Sequence, residues 1–426
     1  MAIKLPSGIS VTSKQPIDVR ILLSKDEMLN IEEARMPDKY FALCKDDGEL
    51  YVYDSTNSID SATGKFRLQK NITSIKSEVE ATKKDIENLD PVAKSGNVSD
   101  LKQTEGDTLV LDCNNAKYEV STNGKYYTSI QEAINDSTEA KIELTNDIDL
   151  NNAPLIIAEG KKVELVLDNH AIKNADKNNT IVNKGNLVIS GTGTLDNVSN
   201  KKATIYNDVG AKLTLNDGVF TRSLEDSIDP DHPGTNSYYT IKNYGELIIN
   251  DNVVVNQGPD NAGKFSSLIT NGWYDYGSAN EPTPIEGKKA TLTINGGKFS
   301  GGLNVIKNDD NSELIINGGE FDGYTQCVIL NVNELTINGG TFRAHNTSDV
   351  TIVTRAINKT VDKGITQING GIFEGNIGNI KKINSGAVPT TNITGGTFTE
   401  DISSYVKAPY IVSKKENLYI VSDGGK

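Results

Sequence analysis

Cysteine is scarce in this chain of 426 residues, which contains three, at Cys44, Cys113 and Cys327. An odd number of widely separated cysteines provides neither a disulfide framework nor the paired spacing of a zinc site. The three histidines are just as scattered along the chain. The sequence therefore predicts no bound metal and no cofactor.

Positive charge and long apolar runs are missing as well. Lys and Arg number 43 against 57 Asp and Glu, so the formal net charge is −14. An acidic chain without basic clusters is a poor partner for nucleic acid, whose phosphates attract Lys and Arg. No segment approaches the apolar length of a membrane-spanning helix, so we expect no membrane insertion. The first residues contain no apolar signal-peptide core, and we expect synthesis in a cytoplasm.

One short sequence motif, in contrast, is repeated along the chain. It is written TLTINGGKF at 291–299, ELIINGGEF at 313–321, ELTINGGTF at 334–342, TQINGGIF at 366–373 and TNITGGTF at 391–398. Apolar and polar residues alternate in each copy, which is typical of a β-strand. The Asn-Gly-Gly that follows tolerates the positive φ of a sharp bend. A lone hairpin with such short arms would not be stable, so the copies are expected to pair with one another.

The spacing of the copies predicts a solenoid. Their phenylalanines are Phe299, Phe321, Phe342, Phe373 and Phe398. Steps of about 20 to 30 positions between such equivalent residues indicate stacked units, here the turns of a parallel β-helix. The phenylalanines should stack inside, and the Asn residues at the bend should form a hydrogen-bonded ladder. Fainter copies at 187–195, 213–220 and 247–255 extend the pattern, so residues 126–426 are assigned to the β-helix, with about 12 coils.

A short amphipathic helix is predicted just before the coils. Ile130, Ala133 and Ile134 share one helical face in TSIQEAIN. A helix there would cap the open end of the solenoid, which otherwise exposes core residues and unpaired strand edges.

The front of the chain reads as a separate small module, residues 1–69, of α+β or β type. Strands are predicted at 18–24, 40–44 and 63–68, with a further strand after the Asp47-Gly48 turn. A short capped helix or loop is expected between the first two strands. Residues 92–125 read as a linker leading into the first coil, with a strand pair at 108–113 and 116–121.

Residues 70–91 carry a heptad pattern between these two regions. Apolar side chains occupy the a and d positions, at Ile72, Ile75, Val79, Ile86 and Leu89. Isoleucine at both positions favours trimers or higher oligomers over dimers, so we expect a homotrimer. The alternative is a single amphipathic helix on a domain surface, but a lone helix of this length is marginal in water.

These patterns resemble two groups of known proteins. The cap followed by coils, over residues 126–421, resembles the pectate-lyase-like right-handed parallel β-helix proteins. The segment 1–69 is similar to the N-terminal modules of phage virion fibres, particularly head-fibre-like proteins. The order of attachment module, coiled coil and β-helix is common in trimeric phage fibres and tailspikes. The resemblance implies a virion fibre that binds capsid or tail proteins through residues 1–69.

Two long insertions interrupt the coils where a site is expected. Residues 221–239 carry four Asp and Glu side chains and His232. They suit glycoside cleavage or Ca²⁺ binding, or they form a solvated acidic loop. Residues 256–287 carry Trp273, Tyr274, Asp275 and Tyr276. Exposed aromatic faces with a hydrogen-bonding carboxylate suit a sugar ring, and the alternative is that these rings pack the loop onto the coil.

Three functions compete at this point. The leading interpretation is a structural fibre, located in the virion, that displays the β-helix for adsorption to host-surface polysaccharide and has no catalytic residues. The second is a depolymerase tailspike that cuts bacterial polysaccharide. The third, a cellular surface adhesin, is disfavoured because the sequence shows neither a secretion signal nor an anchor.

Overall fold

The structure is a computed structural model of the full chain. It describes residues 2–4, 10–12, 22–30, 40–46, 50–56, 59, 61, 63–68, 102–104, 108–110, 119–122, 125–175, 178–198, 202–224, 238–257, 266–345, 350–356, 361, 363–381 and 386–425. Two compact units are present: residues 1–117 with 125–128, and residues 118–124 with 129–426. The predicted coiled coil, 70–91, lies outside the described residues.

Among its described residues, the first unit has a four-stranded mixed sheet, two two-stranded antiparallel sheets and one short helix. Its strands are Ala2–Lys4, Ser10–Thr12, Leu22–Leu23, Tyr40–Cys44, Leu50–Tyr53, Phe66–Leu68, Lys102–Thr104 and Thr108–Val110. The helix Lys25–Leu29 has a full capping box, in which Ser24 and Glu27 each accept the other's backbone N–H. Met28, Cys44 and Phe66 are part of its buried core.

One predicted strand pair has a different partner in the structure. Strand Thr108–Val110 pairs antiparallel with Lys102–Thr104, before it in the chain. Strand Val120–Thr122 pairs instead with the first coil strand, Leu144 lying opposite Val120. The sequence paired 108–113 with 116–121, and this prediction is wrong because the first coil strand, Glu139–Leu144, offers an open edge to Val120–Thr122.

The second unit is a parallel β-solenoid of about nine turns in which each turn contributes a strand to three sheets. The first sheet has strands Glu139–Leu144, Lys162–Val166, Asn186–Ser190, Ala290–Ile294, Ser312–Ile316, Glu334–Ile337, Ile365–Ile368 and Thr390–Ile393. The second has Ile148–Asp149, Ala171–Ala175, Thr194–Val198, Lys298–Ser300, Glu320–Gly323, Thr341–Ala344, Ile372–Glu374 and Gly396–Phe398. Two long strands, Lys212–Thr221 and Glu246–Asn256, run through both of these sheets.

The third sheet closes each turn. Its strands are Leu155–Ile157, Ile181–Asn183, Ile205–Asn207, Ile241–Asn243, Ile269–Asn271, Asn304–Asn308, Cys327–Asn331, Val350–Ala356 and Asn376–Lys381. An isoleucine column continues in register from Ile181 to Ile377. The chain length between successive members varies, and the excursion from Ile269 to Ile306 is much longer than the step from Ile306 to Ile329. The third sheet has nine strands, one for each turn, so the expectation of about 12 coils is wrong. Long excursions between turns lengthen the real period, so fewer turns fit into the chain.

The predicted phenylalanine column forms the solenoid's core. The rings of Phe299, Phe321, Phe342, Phe373 and Phe398 are buried, and successive centroids lie 4.7–4.8 Å apart with planes tilted by 5–6°. That separation equals the spacing of paired β-strands, so each ring lies on the ring of the turn below. The nearly parallel planes show that the rings keep the same orientation from turn to turn.

Two asparagine ladders run along the turns. The outer ladder lies at the predicted Asn-Gly bend, with side-chain amides 2.8–2.9 Å apart, and consists of Asn216, Asn250, Asn295, Asn317, Asn338 and Asn369. The inner ladder is fully buried at the ends of third-sheet strands, with bonds of 2.7–2.8 Å, and consists of Asn183, Asn207, Asn243, Asn271, Asn308 and Asn331. The first was predicted, and the second was not.

Both ends of the solenoid are covered. The predicted capping helix is present at Ile130–Asp136, with Ile130, Ala133 and Ile134 buried and Ser129 as its N-cap. At the other end a turn at Ser403–Tyr405 leads to an antiparallel pair, Tyr410–Lys415 and Leu418–Asp423, which pairs antiparallel with the last second-sheet strand. The reversal of strand direction ends the parallel stacking.

Candidate functional site

Trp273, the centre of the predicted aromatic surface, is buried. Its side chain is 0% exposed and packs against Tyr244 and Ala290. The indole N–H donates to the carbonyl of Pro282 at 2.8 Å, which satisfies the ring's single donor. Trp273 is therefore not an exposed sugar-binding ring but fits the alternative, in which it packs the inserted segment onto the coil.

The neighbours of Trp273 do reach the surface. Tyr274 is 56% exposed, Asp275 is exposed, and Tyr276 is half-buried with its ring edge-on to Trp273 at 5.6 Å. The carboxylate of Glu281 accepts the backbone N–H groups of Tyr274 at 3.0 Å and Asp275 at 2.9 Å. These charge-assisted bonds hold the loop in one conformation, so Tyr274 is displayed from a fixed backbone.

Tyr274 covers a lysine of the third sheet. The ammonium of Lys307 lies 4.1 Å from the centroid of the Tyr274 ring, which is a close cation–π contact. Lys307 stands in an outward row in which strand register aligns Tyr206, Lys242, Thr270 and Lys307 on successive turns. The row and Tyr274 together with Tyr239 and Glu281 form what we call the third-sheet cluster.

The buried carboxylate of Asp309 forms an ion pair with Lys307. Its ammonium lies 3.0 Å from Oδ2 of Asp309, which is fully buried. Burial works against the charge of Lys307, but Asp309 and the neighbouring tyrosines favour it and raise its pKa above the ordinary value. Lys307 is thus a fixed positive charge beneath the Tyr274 ring.

The pKa of Lys242, unlike that of Lys307, is lowered by its surroundings. Burial lowers its pKa from 10.5 to about 8, and repulsion from nearby cations adds to this although Glu281 opposes it. Its ammonium lies 5.5 Å from the ring centroid of Tyr239. Tyr239 has a φ of 54°, which is rare for a bulky residue, and strained positions of this kind cluster at functional sites.

A continuous aromatic series supports the cluster. Ring centroids are 5.5 Å apart for Tyr206 and Tyr244, 5.3 Å for Tyr244 and Trp273, and 5.6 Å for Trp273 and Tyr276. Burial raises the pKa of both Tyr206 and Tyr244, so their hydroxyls stay protonated. Tilted and edge-on contacts are the arrangements that aromatic pairs prefer, and they make the series rigid.

Two further sequence predictions, the coiled coil and the acidic insertion, stay predictions because they concern residues that the structure does not describe. The trimerisation residues, and most of the acidic insertion including residues 225–237, lie outside the described part. Within the described residues, no group of three His, Cys, Asp or Glu side chains is placed to hold a metal ion. Nor does any helix described here have the length and apolarity needed to cross a membrane.

Sequence reasoning missed Lys242, Lys307, Tyr239 and Glu281. A usable signal was present in the third-sheet strands, which read IYN, IKN, ITN and IKN at equivalent places. The middle residue of each triplet points outward, between an isoleucine of the core and an asparagine of the inner ladder. The triplets therefore place Tyr206, Lys242, Thr270 and Lys307 on one outward row, which could have been read from the sequence. Comparison with protein-family models, with curated proteins and with solved structures found no match for this chain.

Proposed function

We propose that this chain is a virion fibre, a head fibre or tail appendage, that displays its β-solenoid for adsorption to host-surface polysaccharide. The single observation that carries the adsorption role is the exposed Tyr274 ring, held by Glu281 and seated on Lys307. A rigid aromatic face beside hydrogen-bonding and charged groups suits a sugar ring. The virion part of the proposal draws on the resemblance of the segment 1–69 to phage fibre modules.

The architecture also fits a role in display. The solenoid's core repeats in register, both ends are capped, and the third-sheet cluster projects from one face of it. A site built on rigid strands is held more accurately than one on loops alone. The proposed homotrimer would present three copies and raise avidity on a repeating polymer.

Adsorption is tested with the full-length chain on an array of bacterial surface polysaccharides. Tyr274→Ala should abolish binding to the polymers that wild type retains, while Tyr274→Phe, which keeps the ring, should bind. As a matched control, Tyr126→Ala removes a tyrosine that is 39% exposed elsewhere and should change nothing. Full binding by Tyr274→Ala would show that this ring is not the adsorption surface.

The virion assignment needs its own experiment. Labelled antibody against the full chain should decorate intact phage particles, and light scattering of the purified protein should give three times the chain mass. Absence of the protein from purified particles would overturn the assignment, and a monomeric mass at high concentration would overturn the trimer.

A depolymerase is the second candidate, and Lys242 favours it. A lysine whose pKa is about 8 has a neutral fraction near physiological pH, which a general base requires. Incubation of the full chain with the retained polysaccharides should then release reducing ends or unsaturated uronides. Lys242→Met should abolish that release, and equal release by wild type and variant would exclude Lys242 as the base.

A further inference from the structure

A second group of polar and aromatic side chains lies on the outside of the second sheet, away from the third-sheet cluster. Strand register places Asp322, Arg343 and Glu374 in one outward row on three successive turns. Tyr324 and His345 lie two residues beyond Asp322 and Arg343, each directly after the end of its strand. We call this group the second-sheet patch, and its members are Glu320, Asp322, Tyr324, Arg343, His345 and Glu374.

Carboxylates from neighbouring turns hold the guanidinium of Arg343 in place. Arg343 lies 3.3 Å from Glu320, 3.7 Å from Asp322 and 3.6 Å from Glu374. Its side chain is 30% exposed, so part of it still faces solvent. A guanidinium fixed by partners on two turns loses little entropy when it binds a further acceptor.

Tyr324 and His345 form a stacked pair beside this arginine. Their ring centroids are 4.8 Å apart with planes tilted by 20°, and Nε2 of His345 lies 3.0 Å from Oδ1 of Asp322. Tyr324 remains 46% exposed although His345 covers one side of its ring. The pair therefore presents a flat aromatic surface whose orientation is fixed by Asp322.

We propose that the second-sheet patch is a carbohydrate-binding site for an uncharged saccharide. The Tyr324 ring offers a stacking face, the carboxylates of Asp322 and Glu374 accept hydroxyl hydrogen bonds, and Arg343 donates them. Three carboxylates outnumber Arg343 and His345 together, so the patch is negative whichever protonation state His345 has. That sign disfavours uronate or phosphate polymers, which carry negative charge themselves.

The size of the patch agrees with a short stretch of sugar chain. Three turns span roughly 10 Å and two residues along a strand roughly 7 Å, which suits about two sugar rings. The site does not depend on the proposed function at Tyr274, because the two groups share no residue and lie on different sheets.

Saturation-transfer NMR on the full-length protein tests the site. The probes are uncharged oligosaccharides of glucose, galactose, mannose and N-acetylglucosamine, with oligogalacturonate as the anionic probe. We expect at least one uncharged probe to bind, Tyr324→Ala to weaken it about tenfold, and Tyr324→Phe to retain it. Tyr126→Ala, which removes an exposed tyrosine that belongs to neither group, should leave that binding unchanged.

Two results would overturn the inference. One is that no uncharged probe binds, or that binding survives Tyr324→Ala undiminished. The other is that oligogalacturonate binds more tightly than every uncharged probe and loses its binding in Tyr324→Ala. The thermal melting midpoint of each variant is measured alongside the NMR experiment. An unchanged midpoint shows that a loss of saccharide binding comes from the site and not from unfolding.

Discussion

The turns from residue 290 to 398 and the turn with the long insertion, residues 238 to 289, differ in where most of their aromatic rings lie. In the later turns, rings such as Phe299 and Phe321 stack inside at strand spacing. In the earlier turn, Val255 stands where Phe299 stands on the next turn, and the rings of Tyr244 and Trp273 pack on the outside. The regular turns stack their phenylalanines in the core, whereas the turn with the long insertion packs its rings on the outside of the coil. The scaffold and the proposed adsorption site are thus separable parts of one solenoid.

The largest effect on the free energy of unfolding should come from a substitution in the phenylalanine column. Phe321→Ala is expected to cost roughly 3–5 kcal/mol in the free energy of unfolding, because it removes buried area and leaves a cavity between two stacked rings. Thr341→Ala, on the outward side of the next strand, is the matched control and should cost less than about 0.5 kcal/mol. Urea denaturation measures both, and similar small changes would mean that the column does not stabilise the core.

The two asparagine ladders give the next largest effect. Asn271→Ala removes bonds to Asn243, Asn308 and the carbonyl of Glu313 in a fully buried position. We expect a cost of about 2–3 kcal/mol, since buried partners are left unsatisfied. Asn317→Ala breaks two equivalent bonds of the outer ladder, but that residue is exposed and water replaces them, so the cost should be about 0.5–1 kcal/mol. Equal costs in denaturant melts would remove the distinction between the ladders.

A smaller effect is expected in the pH dependence of stability. Folding lowers the pKa of Lys242 from 10.5 to about 8, mainly by burial. Between these values the unfolded chain binds more protons at this residue than the folded chain, so its contribution to stability rises with pH. Below about pH 8 both states are protonated and the cost of the buried charge is present in full.

Lys242→Met isolates this contribution. The groups that face Lys242 are Glu281, Lys202, Arg222 and Lys307, and all four remain in the variant. Urea midpoints measured from about pH 8 to about pH 10 should rise more steeply in wild type than in Lys242→Met. The range stops there because the tyrosines of the aromatic series would titrate in the unfolded chain above it. Parallel curves would show that Lys242 is not buried as described.

The sequence indicated the regular turns well and the irregular ones poorly. The Phe column and the outer ladder were predictable because one recognisable motif, an alternating strand followed by Asn-Gly-Gly and Phe, carries most members of both. The inner ladder was missed because its asparagines end short apolar strands that carry no such motif. Burial of Trp273 could not be read from the sequence, because a loop that folds back and one that projects have the same composition. Tyr324 and His345 were not singled out, since only strand register brings them together.

The division between scaffold and site is tested most directly by measuring stability and polysaccharide binding on the same full-length samples of Tyr274→Ala and Phe321→Ala. We expect Tyr274→Ala to lose binding with its free energy of unfolding unchanged to within about 0.5 kcal/mol. Phe321→Ala should lose several kcal/mol and, at temperatures where it remains folded, bind as wild type does. If both variants lose stability and binding together, the adsorption surface is not separable from the core and the account is contradicted.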